Sequence, residues 1–154
     1  MNYSQITSAL FVGTTPKRED FAILRQLGIG LVINLRIERR PVSDPLQPTI
    51  PILWLPVFDF PLIPIPLHTL RRGALAALRV IKQGQSVYAH CAEGAHRSVA
   101  LAACILILQG LAPEYAMRLL KERRQAADPD IWYIRRQILR FAEQFSSLQS
   151  QTFY

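Results

Sequence analysis

The chain has 154 residues, of which 50% are hydrophobic and 19% are charged, and its mean hydropathy is slightly positive. These values predict one folded domain over residues 1–154 and exclude intrinsic disorder, because apolar side chains are abundant enough to offset the entropy lost on folding. The formal net charge is +7 and only three of the 18 basic residues are lysine, which favours anionic partners such as phosphorylated molecules, nucleic acid or a membrane surface.

Neither a membrane span nor a secretory signal is predicted. The longest apolar run, Val99 to Leu108, is about half of the ~20 residues that cross a bilayer, so it predicts a buried helix. No basic residue precedes Lys17, whereas a secretory signal begins with positive charge. Cys91 and Cys104 are too few for a disulfide framework. We therefore expect a cytoplasmic protein with no membrane partner and with both cysteines as thiols.

Hydrophobic periodicity and turn residues divide the chain into alternating strands and helices. In chain order they predict a strand at 3–12, a helix at 20–27, strands at 30–35 and 52–57, a helix at 67–83, a strand at 86–90 and helices at 97–109, 113–125 and 130–148. The strands at 30–35 and 52–57 are nearly continuously apolar, which is typical of strands buried on both faces. This order predicts an α/β fold with a central mixed, mostly parallel sheet flanked by helices on both faces.

Two long loops interrupt the predicted elements. Residues 36–51 contain several arginines and prolines, and residues 58–66 contain three prolines, so neither segment suits a helix interior or a central strand. The second loop carries a single acid, Asp59. The first carries Glu38 and Asp44, so either loop can supply a carboxyl group to a site at the edge of the sheet.

The segment that carries chemistry lies between the predicted strand at 86–90 and the buried helix at 97–109. It is His90-Cys91-Ala92-Glu93-Gly94-Ala95-His96-Arg97-Ser98. Backbone amides at the helix N-terminus would point at an anion held in such a loop. A cysteine followed six positions later by arginine is a weak signal in an arginine-rich chain. With the flanking histidine, glycine and serine, a chance match falls to about one in 10⁵.

Each residue type in this segment suits phosphoryl chemistry. The amide dipoles and Arg97 would favour the thiolate form of Cys91, which is a nucleophile. The planar guanidinium of Arg97 can bind two oxygens of a phosphoryl group. Gly94 allows a positive φ, Ser98 can donate a hydrogen bond to the Cys91 sulfur, and His90 can brace the loop. The residues expected to surround the phosphate or another oxyanion are Ala92, Glu93, Gly94, Ala95, His96 and Arg97.

This segment resembles the active-site signature of the cysteine-based protein tyrosine phosphatases, and the size and layout of the chain resemble the dual-specificity branch of that superfamily. The resemblance covers most of the chain, including Gly30–Arg36, which is similar to the family's second strand. It implies that Cys91 is the nucleophile, that Arg97 binds the phosphate and that Ser98 assists hydrolysis. In that family the general acid lies on a loop upstream of the nucleophile. Asp59, 32 residues before Cys91, is implied in that role.

The resemblance implies a phosphomonoester hydrolase that uses a phosphocysteine intermediate and needs no metal or other cofactor. The implied substrates are proteins carrying phosphotyrosine and, in a shallower pocket, phosphoserine or phosphothreonine. Two alternatives remain open: a phosphatase of RNA 5′ ends or of a small phosphorylated metabolite, and a non-catalytic phosphate-binding module. Phosphoinositide phosphatases of the superfamily typically carry lysine in this loop, whereas the acidic Glu93 disfavours polyanionic head groups.

Residues at the rim of the pocket are expected to govern specificity. The candidates are Arg39, Arg40, Phe58, Phe60 and His96. His96 has two interpretations of equal weight, because it can contact the substrate or face outward at the rim.

The remaining polar residues are expected to have structural roles. We expect Cys104, in the apolar helix, to pack in the core and His68 to lie at the surface. Asp128 and Asp130 are expected to cap the last helix. Glutamates are interleaved with the basic residues of the last two helices, which predicts a solvated face rather than a nucleic-acid site. These basic residues are Arg118, Lys121, Arg123, Arg124, Arg135, Arg136 and Arg140.

Overall fold

In the described part of the chain, alternating apolar and turn-forming segments form five strands and five α-helices. The computed structural model describes the backbone of residues 1–149 and the side chains of residues 1–145. In chain order the elements are β1 (Tyr3–Thr7), β2 (Leu10–Gly13), a 3₁₀ turn (Arg18–Asp20), α1 (Phe21–Gln26), β3 (Ile29–Arg36), β4 (Ile52–Val57), α2 (Leu67–Lys82), β5 (Ser86–His90), α3 (Arg97–Leu108), α4 (Pro113–Arg123) and α5 (Trp132–Gln149).

The five strands form one sheet in the order β1-β2-β5-β3-β4. Only the β1–β2 pair is antiparallel, so the predicted mixed, mostly parallel sheet is confirmed. β5 lies between β2 and β3, and His90 at its end pairs with Gly13 and with Asn34. The carboxyl ends of three parallel strands therefore meet at one edge of the sheet, and the chain enters the Cys91 segment there.

Helices cover both faces of the sheet, as the sequence predicts. The larger core lies between one face and the helices α2 to α5, and α3 at its centre is buried along its whole length except for Leu108. On the other face, Phe21 and Leu24 of α1 pack against Phe11 and Tyr88 of the sheet. Among the described residues, no helix combines the length and the apolar character that a membrane crossing requires.

Two strand predictions were wrong in detail. The segment 3–12 forms two antiparallel strands rather than one, because the chain turns after Thr7, where the threonine hydroxyl accepts a hydrogen bond from the amide of Ala9 at 3.3 Å. β4 was expected to be buried on both faces, but it is the edge of the sheet and is only partly covered. Pro56, which has no amide hydrogen to donate, is tolerated in such an edge strand.

The predicted cap of the last helix was also wrong. The helix begins at Trp132 rather than at Asp130, and the carbonyl of Ile131 accepts its first backbone hydrogen bonds. The Asp130 carboxylate instead pairs with Lys121 and Arg135, which links the end of α4 to the start of α5.

Candidate active site

The Cys91 segment forms a tight loop between β5 and α3, as predicted. Cys91 follows the last residue of β5 and is 3% exposed, and Arg97 is the first residue of α3. Gly94 has φ +66°, and a Cβ there would lie 2.8 Å from the carbonyl oxygen of Gly13. Only glycine therefore lets the loop turn so closely against the end of β2.

Ser98 lies next to the Cys91 sulfur. The Ser98 Oγ to Cys91 Sγ distance is 3.2 Å, and Ser98 is fully buried. Thr15, at the end of β2, donates a hydrogen bond to the backbone carbonyl of Cys91 at 3.3 Å. The cysteine is thus fixed through its backbone, while its sulfur has a hydroxyl group as a neighbour that can stabilise a thiolate.

Arg97 is buried, and three of its five N–H groups are bonded to the protein. Its Nη1 and Nη2 donate to the two carboxylate oxygens of Glu38 at 2.8 and 2.9 Å, and Nη1 also donates to the carbonyl of Val57 at 3.1 Å. Nε is buried and has no partner among the described residues. The N–H groups left over, on Nε and Nη2, can present a fork with the spacing of two phosphate oxygens.

Glu38 and Asp44, the alternative acids of the first loop, are both engaged by other groups. The hydrogen bonds from Arg97, with a further one from Arg36, lower the pKa of Glu38 to about 2. Asp44 is 6% exposed, and although burial opposes it, the amides of Ile50 and Leu46 lower its pKa. Both carboxyls are ionised at neutral pH and neither has a proton to donate, so the idea that one of them is a general acid does not fit the structure.

Asp59 lies where the loop after β4 meets the Cys91 loop. Its carboxylate accepts a hydrogen bond from the hydroxyl of Tyr133 and lies beside the imidazole of His96. The same imidazole faces Asp128 with its other nitrogen. The His96 side chain thus contacts both Asp59 and Asp128, and whether it also touches the substrate stays a prediction. Tyr133 was not recognised in the sequence, because at its position in the helix it has the pattern of a core residue.

Comparison with known proteins identifies the family. Residues 10–144 match the family model "Dual specificity phosphatase, catalytic domain". The chain belongs to the dual-specificity phosphatases. It is 30% identical over 136 residues to dual specificity protein phosphatase 14 of Mus musculus, covering 88% of this chain and 67% of that protein. It is thus a cysteine-dependent phosphatase, and its substrates are phosphorylated molecules.

Several solved structures have the same fold as this chain. A mouse putative dual specificity phosphatase complexed with zinc tungstate has a TM-score of 0.84 at 24% identity, covering 95% of this chain and 89% of that one. Human DUSP28 has a TM-score of 0.82 at 23% identity, covering 93% and 94%. PTPMT1 in complex with PI(5)P has a TM-score of 0.78 at 21% identity, covering 99% of each chain.

Arg124 supports the catalytic loop of this phosphatase from behind, and its assignment to a solvated basic face was wrong. It is 2% exposed and donates to the carbonyls of Gly94 and Glu93 at 2.8 and 2.9 Å. It also donates to Asn2 and Ser4 near the N-terminus. Burial lowers its pKa. The packing of the end of α4 against the loop turns this arginine inward, and helical spacing alone does not reveal that.

His90, the last residue of β5, is a buried and uncharged ring at the base of the Cys91 loop. It is 2% exposed and stacks on Tyr88 with the ring centroids 5.9 Å apart. Burial lowers its pKa to about 4, so the imidazole is neutral at physiological pH. Its Nδ1 is buried without a partner in the described structure.

The rim of the site combines exposed aromatic and basic side chains. Phe58 and Phe60 flank Asp59 and are 45% and 47% exposed, and Arg39 and Arg40 are exposed on the first loop. In the catalytic loop, Ala92 and Ala95 are partly buried and Glu93 is exposed. Beside Thr15 lies a cavity of about 370 Å³. Its lining residues are Thr15, Pro16, Lys17, Arg18, Glu19, Arg39 and Val42.

No metal site accompanies these residues in the described part of the chain. There, no group of three or more His, Cys, Asp or Glu side chains is placed to hold a metal ion. Cys104 is fully buried in α3, and burial raises its pKa well above the usual value, which fits its predicted place in the core.

Proposed function

We propose that this phosphatase dephosphorylates proteins at phosphotyrosine, with phosphoserine and phosphothreonine as further substrates, through a phosphocysteine intermediate. The observation that carries the proposal is the arrangement of Arg97 and Cys91 in one loop. The guanidinium of Arg97 is buried, and its Nε has no partner among the described residues, so its Nε side can bind two oxygens of a phosphoryl group. The buried thiol of Cys91 lies at the other end of the same loop.

The first step transfers the phosphoryl group to the enzyme. The Cys91 thiolate attacks phosphorus, and the N–H groups of Arg97 and of the loop hold the equatorial oxygens. Asp59 donates its proton to the leaving oxygen, so the dephosphorylated product departs as a neutral alcohol or phenol. The new bond joins sulfur to phosphorus, and the broken one joined phosphorus to the leaving oxygen.

The second step returns the enzyme to its starting state. The Asp59 carboxylate accepts a proton from a water molecule, whose oxygen attacks phosphorus and displaces the sulfur. The Ser98 hydroxyl, 3.2 Å from Sγ, donates a hydrogen bond to the departing thiolate. Inorganic phosphate leaves, and Asp59 is again protonated. Cys91 and Asp59 thus act in both steps, Arg97 is assigned a role in the first, and Ser98 acts in the second.

The charges around the site support a protein substrate with acidic residues near the phosphorylated one. No carboxylate forms an ion pair with Lys17, Arg18, Arg39 or Arg40 within the described chain. These cations and the exposed phenylalanines beside Asp59 suit a peptide with acidic and apolar side chains. Glu93 in the loop opposes a compact polyanionic head group. A single catalytic domain over residues 1–154 and a cytoplasmic location remain part of the proposal.

Hydrolysis of p-nitrophenyl phosphate tests the proposal. The wild type and Cys91→Ser are compared in EDTA and a reductant, with orthovanadate as an oxyanion inhibitor. The proposal predicts activity that vanadate inhibits and that is lost with the sulfur. A Cys104→Ser variant, which removes the other thiol, is the matched control and should retain activity. Vanadate binding without turnover would instead favour a phosphate-binding module.

A substrate panel tests the protein specificity. It contains matched phosphotyrosine, phosphoserine and phosphothreonine peptides, a 5′-phosphorylated RNA, a small phosphorylated metabolite and phosphatidylinositol 5-phosphate, the last because PTPMT1 is known in complex with PI(5)P. We expect the highest kcat/KM on the phosphotyrosine peptide. A higher value on the RNA, the metabolite or the lipid would overturn the proposed substrate class while leaving the chemistry intact.

A further inference from the structure

We propose that Tyr133 and His96 are positioning residues for Asp59, and that together they hold its carboxyl group over the catalytic loop so that one chosen oxygen carries the proton. This inference rests on the proposed role of Asp59 as general acid. It assigns to α5, which contributes no part of the cysteine loop, an indirect part in the proton transfer through the orientation of Asp59.

The three side chains meet although they are far apart in the sequence. The Tyr133 hydroxyl donates to Asp59 Oδ1 at 2.6 Å. His96 Nδ1 lies 3.0 Å from Asp59 Oδ2 and 3.2 Å from Oδ1. Successive members are separated by 37 residues, and they come from the loop after β4, the catalytic loop and the first turn of α5. The contacts therefore join three segments that are distant from one another in the sequence.

The Tyr133 hydroxyl is held in place by the packing of its own ring. Tyr133 is 9% exposed. Its ring meets His96 edge-on with centroids 5.9 Å apart, and it meets Trp132 edge-on at 5.8 Å. Burial, with the hydrogen bond to Asp59, raises the pKa of Tyr133 to about 12. The hydroxyl therefore keeps its proton at neutral pH, and it can donate to the Asp59 carboxylate.

The prolines of the loop restrict its backbone but leave the Asp59 side chain free to rotate. With Oδ1 bound to Tyr133 and also within 3.2 Å of His96 Nδ1, the carboxyl plane is fixed. Both donors can then serve Oδ1, and Oδ2 becomes the oxygen that gives and later receives the proton. This removes the cost of orienting the acid at the moment of reaction. The hydrogen bond also stabilises the carboxylate, the form that the second step requires.

Each segment that packs against His96 places a charged or polar group near its imidazole ring. Asp59 faces Nδ1, and Asp128, from the segment between α4 and α5, lies 3.7 Å from Nε2. Arg97 follows directly in the chain, and Tyr133 packs on the ring. Nδ1 can therefore donate to Asp59 while Nε2 faces a second carboxylate. The imidazole is a second donor to the acid rather than a ligand of the phosphate.

The test compares a poor and a good leaving group. Protonation by Asp59 matters more for phenyl phosphate than for p-nitrophenyl phosphate, because nitrophenolate leaves readily without a proton. We expect Tyr133→Phe to reduce kcat/KM, which reports the first step alone, about tenfold more on phenyl phosphate than on p-nitrophenyl phosphate. Vanadate inhibition should not change.

Two controls separate positioning from a general structural effect. Tyr115→Phe makes the same change at an exposed tyrosine of α4 and should match the wild type on both substrates. In an Asp59→Asn background, Tyr133→Phe should cause no further loss, because there is no acid left to position. Equal losses on the two substrates, or additive losses in the double variant, would overturn the inference.

The His96 contact is tested by a conservative replacement. Asparagine can place an amide N–H near the position of Nδ1, so His96→Asn should recover part of the leaving-group selectivity that His96→Ala loses. If the two variants were equally impaired on both substrates, the imidazole would not act through Asp59. If Asp59→Asn itself showed no dependence on the leaving group, the proposed general acid would be wrong. A wrong general acid can be told apart from a wrong positioning role, because only the wrong general acid would show up in the single Asp59→Asn variant.

Discussion

Glu38 and Arg97 are joined by two nearly parallel hydrogen bonds, of 2.8 and 2.9 Å, between a carboxylate on the loop after β3 and the first residue of α3. Although burial opposes ionisation, these bonds raise the pKa of Arg97. The pair fixes the guanidinium plane before any phosphate is present. The pair uses one N–H group of Nη1 and one of Nη2. It leaves the N–H of Nε and the second N–H of Nη2 to bind the substrate.

Removing the charge of Glu38 should weaken phosphate binding without removing the nucleophile. In Glu38→Gln the amide can accept only one of the two hydrogen bonds, so the guanidinium is less well oriented. We expect kcat/KM on p-nitrophenyl phosphate to fall about tenfold, with a matching loss of vanadate affinity. Steady-state kinetics measures both. Glu19→Gln, at an exposed acid outside this pair, is the control. Unchanged kinetics of Glu38→Gln would show that the pair does not organise Arg97.

Replacing Arg97 by lysine should be far more harmful than the loss of its carboxylate partner. Lysine keeps the positive charge but cannot present two N–H groups in one plane to the transition state. We expect kcat to fall by about 10²- to 10³-fold. Arg136→Lys, at an exposed arginine of α5, is the matched control. A lysine variant within a few-fold of the wild type would mean that charge alone suffices.

Arg124 is predicted to stabilise both the fold and the catalytic loop. Arg124→Met leaves two buried carbonyls of the loop without donors, so we expect the free energy of unfolding to fall by about 3 kcal/mol. Urea unfolding of this variant and of Arg123→Met, its exposed neighbour, measures the difference. If the two variants were equally stable, the contacts of Arg124 with Gly94 and Glu93 would have little net effect.

His90 makes stability dependent on pH in a defined direction. Its pKa in the fold is about 4, against 6.5 for an unperturbed histidine. The contribution of the neutral ring is thus fully present above pH 6.5 and is lost as the pH falls toward 4. We expect a loss of about 2 kcal/mol between pH 6.5 and about 5, where Glu38 remains ionised.

Urea unfolding at several pH values measures this loss. The variant His90→Gln, which cannot be protonated, should show a flatter dependence over that interval. An equally steep dependence in the variant would assign the effect to another group.

The fold and the cysteine loop were predictable because their signals are local. The apolar run of β5, the short loop and the apolar helix α3 lie next to one another in the sequence, and the positive φ of Gly94 follows from the loop's tight turn. The spacing between Asp59 and Cys91 carried information only through the family resemblance. Sequence pattern alone left Glu38 and Asp44 as alternatives to Asp59, and their contacts with other groups are visible only in three dimensions.

The residues that sequence analysis missed act across long distances in the chain. Arg124 and Tyr133 have the helical spacing of ordinary surface and core residues. Their roles arise because the end of α4 packs behind the catalytic loop and the start of α5 packs beside Asp59. Neither contact leaves a local pattern. The hairpin of β1 and β2 was missed for a related reason, since strand pairing decides whether one apolar segment forms one strand or two.

The central claim is that the phosphoryl group passes through Cys91, and trapping that intermediate tests it most directly. The Ser98→Ala variant, in which the departing thiolate loses its hydrogen bond, is mixed with p-nitrophenyl phosphate and quenched in acid within its first turnover. Mass spectrometry of the digested protein then locates any phosphoryl group. The account predicts a single phosphoryl adduct on the peptide that contains Cys91, and none on that peptide in Cys91→Ser. Rapid turnover with no adduct, or an adduct on another residue, would contradict it.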